Sequence, residues 1–158
     1  MSERAGRRSV ELTCQARGVS QREVTINFSD ETFIVAEPVV VARIVAQPDR
    51  WAVWWPSLTL QVYEDRGVKG IRWTVTGELV GTAELWVEPQ LDGVVLHHFL
   101  RVDPTEPGAP TIARTGFSSP RGRRRVAAIE RRYALSWKQH VWRLKDELEG
   151  ARRVGEPR

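Results

Sequence analysis

Cysteine is almost missing from this sequence, with a single residue, Cys14, in 158. One thiol closes no internal disulfide and builds no cysteine-rich zinc site, so the composition suits a reducing, cytoplasmic setting. Long apolar runs are missing as well. Nowhere do 18 consecutive apolar residues occur, and no apolar stretch follows the basic Arg7 and Arg8, so neither a membrane span nor a signal peptide is supported. Lysine is scarce: only Lys69, Lys138 and Lys145 among 24 basic residues. With frequent Ala, Gly and Val beside it, this arginine excess reflects a GC-rich coding bias as readily as a need for guanidinium groups. The net charge of +4 is offset by 20 carboxylates spread through the same segments, which argues against a dedicated nucleic-acid face. No Gly-rich phosphate loop, nucleophile elbow or HExxH pattern occurs, so hydrolase and nucleotide-dependent chemistry have no motif behind them.

What is present is enough apolar residue, 41%, for one ordinary domain with its own core. The most regular stretch spans 124–149. There Val126, Ile129, Tyr133, Trp137, Val141, Leu144 and Leu148 recur at steps of three and four, the spacing of one apolar stripe on a long helix. Ser119-Pro120 provides a cap and a first helical residue for it.

Upstream, residues 1–22 are polar and aperiodic and read as a flexible tail with a short strand at 10–13; 151–158 read as a second tail. The domain is expected over 23–150. Val24, Ile26 and Phe28 alternate with polar neighbours, and 32–36 are rich in β-branched residues, giving a first strand or strand pair. Residues 39–46 have strand propensity, but Pro38 before them and Pro48 after them predict a short helix with Val41, Ile44 and Val45 inward. A second short helix or turn then carries Trp51, Trp54 and Trp55, closed by Pro56.

After Pro56 the pattern is antiparallel β, with strands expected at 59–65, 68–76, 78–88 and 93–102. Their buried faces are Leu60 and Val62; Ile71, Trp73 and Val75; Leu79, Ala83, Leu85 and Val87; and Val94, Leu96, Leu100 and Val102. Residues 103–122, rich in proline and glycine, read as a long loop. The fold class is therefore α+β: two short helices after the first strand, a curved antiparallel sheet, and a long C-terminal helix.

This order, together with Pro48-Asp49-Arg50-Trp51 and Trp54-Trp55-Pro56, is similar to the "P-x-x-W-x-x-W-x-P" stretch and helix-grip architecture of the START-like, or Bet v 1-like, superfamily. The likeness is to its bacterial polyketide cyclase/dehydrase and lipid-transport branch and covers roughly 23–149. About five strands are counted where that family has six or seven. The resemblance implies a cavity between the sheet and the C-terminal helix that binds a hydrophobic small molecule, such as a lipid, quinone or polyketide. Its expected lining is Trp51, Trp54, Trp55, Trp73, Leu85, Leu96, His98, Glu130, Tyr133, Trp137, His140 and Val141. For Trp73 and Trp137, packed core and pocket wall stand as equal readings. No cofactor is implied.

The polar candidates are few. Glu130 falls about 20° from Trp137 around the helical wheel, inside the apolar stripe, where a carboxylate needs a partner or a wet rim. His140 falls about 60° from the same point and titrates in a useful range. His97 and His98 point to opposite faces of one strand, and alternation with Leu96 and Leu100 turns His98 inward unless a bulge intervenes. These histidines do not form a metal signature. Arg121, Arg123, Arg124 and Arg125 crowd a helix N-terminus that disfavours cations. They read as a solvated loop or, more sharply, as a contact for an acidic head group or anionic surface. Two functions follow: a carrier or sensor of the hydrophobic ligand, and an aromatase/cyclase or dehydratase with Glu130, His98 or His140 as its acid and base.

Overall fold

The computed structural model describes residues 24–150. The tails expected over 1–22 and 151–158, with the short strand at 10–13 and Cys14, lie outside the described residues. Strand β1 (Ile26–Ile34) leads into two short helices, α1 (Pro38–Val45) and α2 (Pro48–Trp54). Strands β2 (Leu58–Asp65), β3 (Gly70–Gly77), β4 (Leu79–Gln90), β5 (Gly93–Glu106) and β6 (Ala109–Ala113) follow, and the long helix α3 (Pro120–Glu149) closes the described chain. The sheet is antiparallel in the order β1-β5-β4-β3-β2, with β6 added on β5. The class is α+β, as the sequence predicts.

Backbone chemistry explains the short helices better than side-chain propensity does. Pro38 and Pro48 each stand in a first helical turn, where a missing N–H costs nothing. Val41 and Val45 are buried, and Ile44 packs against the core. Helix α3 has 30 residues, so it is about 45 Å long. The Ser119 hydroxyl accepts the Gly122 N–H at 3.1 Å, satisfying one of the orphan donors at the helix start. Its buried stripe is Val126, Tyr133, Trp137, Val141 and Leu144, with Ile129 and Leu148 partly buried.

Of the two readings of the first segment, a strand or a strand pair, the structure has the single strand, because the inward alternation Ile26, Phe28, Asp30, Thr32, Ile34 runs through a charged residue. Two details differ from the sequence reading. The stretch 103–122 is only partly loop: β5 continues to Glu106 and turns at Gly108, φ +75°, into β6, giving six strands among the described residues. The Thr105 hydroxyl donates toward the carbonyls of Gly77 and Glu78 at 2.7 and 3.1 Å, which ties this proline-rich hairpin to the β3–β4 turn. Finally, β2 buries little of its face. Val62 is exposed and Leu60 half-buried, because β2 is the far edge strand while α3 lies chiefly against β1.

Close backbone approach demands glycine at one point in the sheet. Gly81 stands in β4 at φ +151°, and a Cβ there would collide with the Arg101 carbonyl of β5.

Candidate functional site

The concave face of the sheet is floored by aliphatic residues, Leu85, Leu96 and Leu100 among them, and roofed by a layer of indoles. Trp55 stacks on Trp137 of α3 with ring centroids 5.7 Å apart and planes 6° from parallel. Trp54 meets Trp137 edge-on, and Trp73 of β3 meets both Trp51 and Trp55 edge-on. The Trp51 indole N–H donates to the Val45 carbonyl at 2.8 Å, tying α2 to the end of α1. Trp73 and Trp137 are fully buried, so this layer occupies the space directly between sheet and helix. Val141 lies on the same helix face, also buried.

His98 lies beneath the layer. Alternation places it inward, 1% exposed, with its ring 4.3 Å from Trp137 and 5.3 Å from Trp55. Neither ring nitrogen has a hydrogen-bond partner among the described residues, and the same holds for the Trp73 indole N–H. Burial pushes the imidazole down to about 3, with the Asp30 carboxylate pulling the other way, so His98 is neutral at physiological pH. Asp30 stands directly opposite His98 on β1. It accepts the Trp137 indole N–H at 3.0 Å and faces the Lys138 ammonium at 2.5 Å. Sequence reasoning missed this carboxylate, although the unbroken alternation of β1 marks it as inward. His97 points to the other face, stacked on Trp86 and 2.8 Å from Glu88.

At the edge of the indole layer the structure opens. A cleft of about 230 Å³ is bounded by Trp54, Trp55, Pro56 and Ser57 on one side and by Arg132, Tyr133 and Ser136 of α3 on the other. Its polar end is a compact network. The Tyr133 hydroxyl donates to Glu78 at 3.0 Å, Ser57 lies 3.0 Å from the Tyr133 oxygen, and Arg132 pairs with the second Glu78 oxygen. Burial works to raise the Glu78 pKa, but hydrogen bonds from Arg132, Tyr133 and Ser57 hold it below the ordinary carboxylate value. Burial pushes the Tyr133 phenol up to about 12. On its far side Glu78 borders a second cleft of about 370 Å³, shared with Thr105, Arg125 and Ile129. Glu78 thus links the Arg132 and Tyr133 lining of the first cleft to the second. Of this network the sequence reading offered only Tyr133 as a lining residue and saw Arg132 only as one of a run of arginines; Glu78 and Ser57 gave no signal before the fold joined them.

The three acid–base candidates are not brought together. His98 is sealed beneath the indoles, whereas Glu130 and His140 are half-exposed on opposite flanks of α3, about 15 Å apart along its axis. Glu130 makes no hydrogen bond or ion pair among the described residues. Burial, and then neighbouring Arg143, lower the His140 pKa. Among the described residues no group of three or more His, Cys, Asp or Glu is placed to hold a metal ion, and no helix is long and apolar enough to cross a membrane. Arg121, Arg123, Arg124 and Arg125 are exposed on the first turns of α3, where Arg121 and Arg125 join Arg114 around a shallow hollow.

No family model and no curated protein matches the chain. Solved structures do. The Aha1 dimer from Colwellia psychrerythraea, determined in solution, aligns over 81% of this chain and 99% of its own, with 14% identity and a TM-score of 0.50. TTHA0849 from Thermus thermophilus aligns over 75% and 99%, with 12% identity and a TM-score of 0.42. The di-domain ARO/CYC StfQ from the steffimycin biosynthetic pathway aligns over 82% of this chain and 54% of its own, with 12% identity and a TM-score of 0.45. At such identities the likeness speaks to architecture. The chain has a helix-grip fold, an antiparallel sheet with two short helices after its first strand and a long helix against it.

Proposed function

We propose that the protein is a carrier or sensor that binds a hydrophobic small molecule, of lipid, quinone or polyketide type, with the indole layer filling the space between sheet and α3 and the ligand held in the cleft between 54–57 and α3. The observation that carries this reading is the cleft at the edge of the indole layer. Trp54, Trp55 and Pro56 provide an apolar wall, and the Ser57–Tyr133–Glu78 network provides a few convergent polar groups, the usual make-up of a ligand site. The cleft suits a ring system or the end of a longer ligand. The alternative, an aromatase/cyclase or dehydratase working in the same place, needs an acid and a base within reach of one substrate, and the dispersion of Glu130, His98 and His140 favours the carrier. A cytoplasmic location is part of the proposal, and a weak contact of the exposed arginines with an anionic surface would appear as salt-sensitive binding to anionic vesicles.

Native mass spectrometry of the freshly purified full chain, followed by thermal shift against lipids, quinones and aromatic polyketides, tests the proposal. A retained mass or a saturable rise in Tm for one class is expected. If no class binds, the carrier reading is wrong.

A further inference from the structure

The polar end of the cleft has a fixed hydrogen-bond direction. Glu78, held ionised by Arg132, has no proton to give and can only accept. The Tyr133 hydroxyl must therefore donate to it across their 3.0 Å contact. With that proton committed, the 3.0 Å contact between Ser57 and Tyr133 can only be donation by Ser57 to the tyrosine oxygen. Ser57 also reaches Glu78, and there too it must donate. On either path the single Ser57 proton is spent inside the network, while Ser57 lines the cleft and is exposed, leaving its oxygen free to accept. We infer that the cleft selects ligands carrying a hydroxyl or N–H beside an aromatic body, the donor resting on Ser57 Oγ and the ring against exposed Pro56 and the edges of Trp54 and Trp55 that reach the cleft.

This inference rests on the proposed ligand-binding role and narrows it to phenol-like and hydroxylated aromatic ligands. A ketone or ether presents only lone pairs to Ser57 and meets repulsion there. Ser136 and the outer N–H groups of Arg132 can still serve acceptors, so a group that both donates and accepts, as a phenol does, fits best.

The probes are 2-naphthol, 2-methoxynaphthalene and naphthalene, titrated into the full chain by calorimetry and by quenching of tryptophan emission. Naphthol is expected to bind about tenfold more tightly than its methyl ether, the scale of one hydrogen bond lost. Ser57→Ala, at an exposed position, removes the acceptor and should bring that ratio close to one while naphthalene affinity holds. Glu78→Gln tests the direction itself, because a carboxamide both donates and accepts and frees the network to reverse. The ratio should fall there too. Equal binding of naphthol and ether to the unaltered chain, or a ratio that survives Ser57→Ala, overturns this inference and leaves the carrier reading standing. Failure of all three probes to bind overturns both.

Discussion

Trp137 donates its indole N–H to Asp30 Oδ2 at 3.0 Å, and the next residue along α3, Lys138, sets its ammonium 2.5 Å from Oδ1 of the same carboxylate. A carboxylate on the inward face of β1 is thereby compensated from the helix that covers it, and the register of α3 on the sheet is pinned at one point. Removing the acceptor strands a fully buried donor. Asp30→Ala should cost about 1–3 kcal/mol in urea unfolding, and Asp30→Asn, which keeps an acceptor oxygen, less. In a double-mutant cycle with Trp137→Phe the two losses should overlap by about 1 kcal/mol; full additivity would show that the bond carries no coupling.

His98 makes stability depend on pH in a defined direction. Its pKa falls from 6.5 in the unfolded chain to about 3 in the fold, so between those values the unfolded state binds more protons and stability drops as pH falls. By pH 5 the loss from this residue is about 2 kcal/mol. His98→Phe should flatten that part of the stability curve and, by removing unpartnered buried nitrogens, leave stability at pH 7 unchanged or raised. An unaltered acid slope in the variant would contradict this account.

Tyr133 ionises late. Its phenol is pushed up to about 12 by burial, so the protonated form belongs to the fold and the contribution of Tyr133 fades as pH rises above 10 through 12. The chain has only two tyrosines, so an ultraviolet titration is easily read. Tyr133→Phe should delete the step near 12; its survival would mean that the phenol is not held as described.

Ser119 starts α3 with a single side-chain bond. Ser119→Ala should cost about 1 kcal/mol and speed amide exchange in the first turns, with the Trp137 region unaffected.

How much of this was legible depends on the range of the interaction. The α3 stripe and the proline-bracketed α1 are local patterns, readable from neighbours three or four residues away. The β5–β6 hairpin was hidden because Pro104, Pro107, Gly108 and Pro110 have the composition of a loop, and pairing with distant strands overrode it. The site was hardest to read. Trp137 meets Asp30 across 107 residues, Tyr133 meets Ser57 across 76 and Glu78 across 55, and no local spacing announces such partners.

Five of the seven indoles, Trp51, Trp54, Trp55, Trp73 and Trp137, form one connected cluster, while Trp86 sits on the opposite sheet face and Trp142 is exposed on the outer side of α3. The parallel Trp55–Trp137 pair is close enough for its excited states to couple, and excitation absorbed anywhere in the cluster can migrate to the indoles that wall the cleft. The protein thus contains its own optical gauge: near-ultraviolet circular dichroism should report whether α2 and α3 are docked, and emission should report occupancy of the cleft without any added dye.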